Sequence, residues 1–286
     1  MSRPVKRSIL VDGMTRTYLR VAPAGGTTGR ALVLVLHGSN QSADAIRRYS
    51  DRTFDSLSRR GAVVAYLDGF RGDWNDARVG SISAARRNEV DDVAFVAAAI
   101  DDLAVRDNVD RARVFIVGFS AGGYMTIRVI HEIPDRIAGA GLISATHAAA
   151  ANFMGSRYTS APMAVTLFHG TSDAFVKYDG ELARGRGLLR VGGMLSAPAT
   201  AEYFAHRNGI QTPATQRRIA DDVFETVYEE EDKPRVRLLT INGKGHTIPG
   251  ARGRPIAGRS TRSIVAAQVL GDHWALPAPV ESAAAE

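Results

Sequence analysis

At 286 residues, with 45% hydrophobic and 23% charged side chains, the chain has room for one large α/β domain or two small ones and the composition of an ordinary globular protein. The absence of cysteine excludes disulfides, a thiol nucleophile and thiolate metal sites, and no run approaches the ~20 apolar residues of a membrane span. The net charge of +6 is almost wholly arginine, enriched locally at Arg184 to Arg190 and Arg252 to Arg262. Neither segment holds an aromatic residue, so a solvated surface is expected and a nucleic-acid interface is not.

In chain order, the basic N-terminus lacks an apolar h-region, so no signal peptide is visible. The expectation is an intracellular protein or a mature form with an added start Met. Ser8 to Val11 and Arg16 to Val21 predict an antiparallel hairpin across Asp12-Gly13. After a Gly/Thr-rich loop, Pro23 to Gly29, the continuous apolar run Ala31 to Leu36 predicts a strand covered on both faces, ending in His37-Gly38-Ser39. Ala43 to Arg60 carries helical spacing and stops at Gly61.

Ala62 to Leu67 predicts another buried strand, opening into the loop Asp68 to Gly80. Asn88, with Asp91 three positions on, is read as the cap of an amphipathic helix over Val90 to Leu103, with Asp91 and Asp92 as helix-start charges. Strands are predicted at Val114 to Val117, Ala138 to Ser144, Met163 to Phe168 and Val236 to Ile241. Helices are predicted at Pro198 to Asn208 and Ile264 to Leu270. Leu182 to Leu195 reads as loop, and Gln216 to Arg235 as an antiparallel excursion with an acidic turn. The tail 277–286 reads as disordered. Alternation of strand and helix without a linker predicts a single α/β domain over 1–276, with a mainly parallel, doubly wound sheet.

The chemistry centres on Gly118-Phe119-Ser120-Ala121-Gly122, a G-x-S-x-G between a predicted strand and a predicted helix. Small residues on both sides let a tight turn hold the Ser120 hydroxyl above the sheet. The Ala121 amide, at the helix start, can face an oxyanion. A serine needs a base, and histidine suits neutral pH. Of seven histidines, His131 and His206 fall in helices, and His37 and His169 sit at strand–His-Gly ends that favour structural hydrogen bonds. His147 and His273 lack supporting neighbours. His246, in a Gly-rich loop after the last strand, is the candidate base. Asp173, in a turn after a strand, is the candidate acid. Asp179, Asp221 and Asp222 are less well placed. The second oxyanion donor is expected after the early strand, at the Ser39 or Asn40 amide.

Together LHGSNQSA, the loop containing Asp73-Trp74-Asn75, VDDVAFVAAAIDDL, VFIVGFSAGGYM and GKGHTIPG resemble the polyhydroxybutyrate-depolymerase-like esterases of the α/β-hydrolase fold, a group that includes feruloyl and acetyl-xylan esterases. The resemblance runs from about Leu10 to about Gly250. It implies Ser120 as nucleophile, Asp173 as acid, His246 as base, and the Ser39 and Ala121 amides as oxyanion hole. It further implies that Trp74 lines the substrate cleft, with Gln41 and Tyr124 as substrate contacts. The chain departs from the family at Ser39, where Cys or Thr is frequent, and at Ile248, where Trp is frequent; the second removes an aromatic from beside the base.

The function implied is a serine carboxylic-ester hydrolase acting on small or oligomeric esters, feruloyl-type or short hydroxyalkanoate, with acetyl-xylan esterase as the alternative. A serine peptidase of the same fold would usually bring an added domain. A silent binding protein would be expected to lack one of the three catalytic residues. No cofactor is expected, and no metal, because no His/Asp/Glu cluster has ligand spacing.

Overall fold

The computed structural model describes residues 3–23, 28–154, 161–181 and 193–279. Most of the predicted loop Leu182 to Leu195, part of Pro23 to Gly29 and the end of the tail fall outside the described residues. The strands are β1 Val5–Val11, β2 Met14–Val21, β3 Arg30–Leu36, β4 Val63–Leu67, β5 Val109–Phe119, β6 Gly139–Ile143, β7 Ala164–Gly170, β8 Thr215–Ala220, β9 Val223–Tyr228 and β10 Val236–Ile241. They form one sheet in the order β1-β2-β4-β3-β5-β6-β7-β10-β9-β8. β4, β3, β5, β6, β7 and β10 run parallel, flanked by the antiparallel β1–β2 hairpin and the antiparallel β9–β8 excursion. β8 is almost wholly exposed, and its Arg217 and Arg218 discourage further pairing at that edge.

The central strands are apolar throughout because both faces are covered. In β3, Leu32, Leu34 and Leu36 enter one core while Ala31, Val33 and Val35 enter the other, the period of two of a strand buried on both sides. The first core is closed by α3 Asp92–Asp107, α4 Ala121–Glu132 and α5 Ala197–Arg207, through residues such as Phe95, Met125 and Phe204. The second is closed by α1 Ala43–Tyr49, a 3₁₀ segment Thr53–Arg60 and α6 Ala266–His273, through Ile46, Leu57 and Leu270. Burial of a side chain such as Leu34 or Phe95 contributes about 1.5–3 kcal/mol.

Among the boundaries that differ from those predicted, two change how elements pack. The helix expected over Ala43 to Arg60 breaks at Asp51 and Arg52, whose φ of 49° and 60° are left-handed. The break lets Phe54 and Leu57 stay on the core face, and the Arg47–Asp55 ion pair at 2.7 Å spans it. Asn88 ends a short helix, α2 Ala84–Arg87, while Asp91 caps α3 by accepting from the Ala94 amide at 2.8 Å. Asp92 is more than a helix-start charge. Fully buried, it pairs with Arg16 of β2 at 2.6 Å and accepts from the Asn75 amide at 2.7 Å, tying the hairpin to the loop 68–80. Burial raises its carboxyl above the usual range despite Arg16.

After β3 the chain visits β4 on one side and then β5 on the other, so the strand order reverses between β3 and β5. Loops leaving such neighbours diverge and open a crevice at their carboxyl ends. Ser39 follows β3 and Ser120 follows β5.

Candidate active site

Ser120 takes φ 54° and ψ −119°, a conformation that costs a non-glycine residue of order 1–3 kcal/mol. The turn closes only because its neighbours are small. A Cβ on Gly122 would stand 2.3 Å from the Leu36 carbonyl oxygen, and one on Gly118 would stand 2.1 Å from that of Gly122. Backbone bonds hold the turn, with Ser120 N–H donating to Ile143 at 2.9 Å and Gly123 N–H to Ser120 at 2.8 Å. The G-x-S-x-G spacing is therefore a steric requirement of bringing α4 across the ends of β3 and β5.

His246 follows β10, and its Nδ1 donates to Asp173 Oδ2 at 2.8 Å. The other oxygen of Asp173 accepts from the Phe175 and Val176 amides, each at 2.9 Å. Burial pushes this carboxyl up, but the His246 hydrogen bond and the Val176 amide outweigh it, and the group lies below its ordinary value. His246 lies against the ring of Phe119, the residue before Ser120, with centroids 4.9 Å apart. The Ser120 hydroxyl has no hydrogen-bond partner among the described residues, so the structure joins His246 to Asp173 directly and links it to the serine turn through the Phe119 ring.

The remaining histidines fall into structural positions. His37 is buried between the Gly38 carbonyl on Nδ1, at 2.8 Å, and the Gly69 amide on Nε2, at 2.9 Å. His169 donates from Nε2 to the Val176 carbonyl at 2.8 Å, closing the turn that carries Asp173. His131 and His147 are buried with Phe153 and Tyr203, and desolvation pushes them down to about 3 and about 4. His273 is likewise lowered to about 4 by burial, against Thr166, and His206 is exposed.

The loop after β3 passes directly beside the serine, since a Cβ on Gly38 would meet that of Ser120 at 3.4 Å. The Ser39 and Ala121 amides donate to no group among the described residues, leaving both available to an incoming oxyanion. Two expected substrate contacts instead hold this loop. Trp74 is fully buried; its indole N–H donates to the His37 carbonyl at 2.8 Å and its ring lies 4.8 Å from that of His37. It supports the crevice from within the core and does not line it. Gln41 turns its side-chain oxygen back to accept from the Gly38 amide at 3.1 Å.

Tyr124, one turn after Ser120, packs with Ala145, Val176 and Met194, and the Arg78 guanidinium lies 3.9 Å over its ring. Asp76 grips that guanidinium at 2.7 Å. Ile248 is a core residue. The aromatic neighbours of His246 are Phe119 and Phe175, the latter 55% exposed and 5.3 Å from the imidazole. Phe175 escaped the sequence reading, although an aromatic two residues after the candidate acid was its signal.

Residues 79–184, which include Ser120 and Asp173, match the phospholipase/carboxylesterase family model. A solved acetyl xylan esterase from Aspergillus awamori superposes with a TM-score of 0.61 at 14% identity, covering 86% of this chain and 95% of that one. This is the α/β-hydrolase fold. Within that fold, the chain is 28% identical over 259 residues to NocK of Nocardia uniformis subsp. tsuyamanensis, which is named as an esterase; the match covers 85% of this chain and 74% of NocK. It is also 28% identical to feruloyl esterase B of Piromyces equi, over 78% of this chain and 41% of that protein. Poly(3-hydroxyalkanoate) depolymerase C of Paucimonas lemoignei is 26% identical, over 79% of this chain and 57% of that protein. As an α/β-hydrolase fold, the molecule places its Ser120 turn, Asp173 turn and His246 loop after β5, β7 and β10, at one end of the sheet. Among the described residues no group of His, Asp and Glu side chains could hold a metal ion, and no helix is long and apolar enough to cross a membrane.

Proposed function

We propose that the chain is a serine carboxylic-ester hydrolase working through an acyl-enzyme. The observation that carries this reading is the His246–Asp173 bond at 2.8 Å, alongside a strained serine elbow at the sheet's switch point. His246 Nε2 takes the Ser120 proton as Oγ attacks the ester carbonyl carbon. The carbonyl oxygen becomes an oxyanion held by the Ser39 and Ala121 amides. As the intermediate collapses, the bond to the alkoxy oxygen breaks and the imidazolium returns the proton to the departing alcohol. A water, deprotonated by His246, then attacks the acyl carbon; as the bond to Oγ breaks, the imidazolium returns that proton to Oγ, releasing the acid and free Ser120.

The substrates favoured are feruloyl-type or short hydroxyalkanoate esters, with acetylated xylan as the alternative. Named relatives act on feruloyl esters and poly(3-hydroxyalkanoate), and acetyl xylan esterases occur among the similar proteins. The test compares kcat/KM on methyl ferulate, 3-hydroxybutyrate oligomers and acetylated xylan; a preference above about tenfold, ~1.4 kcal/mol, decides between them. Hydrolysis of none of these, nor of p-nitrophenyl acetate, would defeat the proposal.

The leaving alcohol is protonated at His246, whose imidazole lies 5.3 Å from the exposed ring of Phe175, within reach of a ring on that alcohol. Phe175→Ala is expected to lower kcat/KM about tenfold for esters of ring alcohols, the ~1.4 kcal/mol of a stacking contact, while methyl esters change by less than about twofold. Equal loss on both would place Phe175 in support of the base instead.

A further inference from the structure

The arginine enrichment at 252–262 is expected to be solvated surface, and the structure gives that surface a shape. Arg252, Arg254, Arg259 and Arg262 line a single cavity of about 460 Å³ with Ser260 and the loop backbone. None of the four forms an ion pair among the described residues, whereas arginines elsewhere, such as Arg47, Arg78 and Arg217, are paired with carboxylates. From Gly243 to Arg262 there is no acidic residue, and the nearby carboxylates are engaged otherwise, Asp51 by the Arg252 amide at 2.7 Å and Asp222 by Lys244 at 3.2 Å. Like charges held this close repel, and an anion between them would relieve the repulsion.

The loop is fastened directly to the segment carrying His246. Gly245 N–H donates to the Arg259 carbonyl at 3.0 Å, Gly250 N–H to that of Thr261 at 3.0 Å, and the Ser260 hydroxyl to that of Ile248 at 3.0 Å. Gly245 lies so close that a Cβ there would stand 2.1 Å from the Ala257 carbonyl oxygen. On the other side, Arg254 lies 5.2 Å over the ring of Tyr49, whose hydroxyl donates to the His246 carbonyl at 3.1 Å. One side chain thus separates the cavity from the residue that carries the base.

We propose that loop 251–262 is an anion subsite that receives a chain of repeated carboxylates whose ester group is presented to Ser120. This rests on the esterase reading. Planar guanidinium forks match carboxylates, and a cavity lined by several unpaired forks suits a polyanion better than a single acid group. An acetylated, uronate-rich polysaccharide has the required chemistry.

The test uses the full chain and the variant Arg252→Gln/Arg254→Gln/Arg259→Gln/Arg262→Gln. A control removes the exposed arginines at 59, 87, 111 and 218 in the same way. The ratio of kcat/KM on acetylated polygalacturonate to that on p-nitrophenyl acetate is expected to fall about tenfold in the loop variant and less than about twofold in the control. In wild type the same ratio should fall with added salt, because exposed charges are screened beyond about 8–10 Å. Fluorescently labelled, unesterified polygalacturonate should bind wild type and the control but not the loop variant. Competition by inorganic phosphate at concentrations matching the polymer's carboxylate would show a general anion site and overturn the polycarboxylate assignment. Equal losses in loop variant and control would assign the effect to net charge and also overturn it. If wild type hydrolysed no ester, the esterase reading would fail and the binding arm alone would judge the subsite.

Discussion

Replacing Ser120 by Ala is expected to reduce kcat on p-nitrophenyl acetate by about 10⁴–10⁶-fold, with the folded structure retained. Loss on this scale follows from the proposed mechanism, in which the hydroxyl is the group that takes up the acyl group; the oxyanion donors and the imidazole cannot substitute for it. The substitution should also stabilise the protein slightly or leave it unchanged. Ala keeps the Cβ already accommodated beside Gly38, and the Ser120 hydroxyl gives up no hydrogen bond to the described residues. The strained φ of 54° stays in both, so Tm should move little while turnover disappears. A variant retaining more than about a tenth of wild-type kcat would remove Ser120 from the chemistry.

Asp173→Asn should cost about 10³–10⁴-fold in kcat at neutral pH. The carboxylate presently accepts from His246 Nδ1, Phe175 N–H and Val176 N–H, so it fixes both the imidazole tautomer and the turn. An amide can still accept from the two backbone groups through its oxygen. Its NH₂ then faces Nδ1 and favours the tautomer protonated at Nε2, which cannot take the serine proton. The same substitution has a pH signature. The folded-state pKa lies below the ordinary 3.8, so the charge contributes stability above the unfolded value, lost as pH falls through the folded one. The Tm difference between wild type and Asp173→Asn should therefore be flat near neutrality and shrink below about pH 4. A difference that grew on acidification would contradict the assigned direction.

The sequence carried the parts of this site that obey steric or periodic rules. The apolar β3 and β5 segments could only be strands covered on both faces, and Gly118 and Gly122 admit no Cβ, so the elbow was legible. His37 and His169 had the strand-end position that predicts structural hydrogen bonds, and both make them. Loop orientation was not legible. Nothing in Asp73-Trp74-Asn75 tells whether the indole faces the crevice or the core; that depends on the His37 carbonyl, which becomes its acceptor only after β3 and the loop are brought together. Gln41 turned inward for a similar reason, meeting the Gly38 amide three residues back. Conversely, Phe175 lies beside His246 only because the Asp173 side chain gathers the Phe175 and Val176 amides. The arginine enrichment at 252–262 was legible, but not that the loop carrying it is pinned to the His246 segment through Gly245, Gly250 and Ser260.

The central claim is that Ser120 becomes covalently acylated with help from His246 and Asp173, and a mechanism-based phosphorylation tests it most directly. Diethyl p-nitrophenyl phosphate, mixed with the 286-residue chain, should release p-nitrophenol and add one diethylphosphoryl group per chain, on the peptide containing Ser120. Ser120→Ala should take up none, and Asp173→Asn should react far more slowly at neutral pH. Labelling of a different residue, or equal labelling of wild type and Ser120→Ala, would contradict the account.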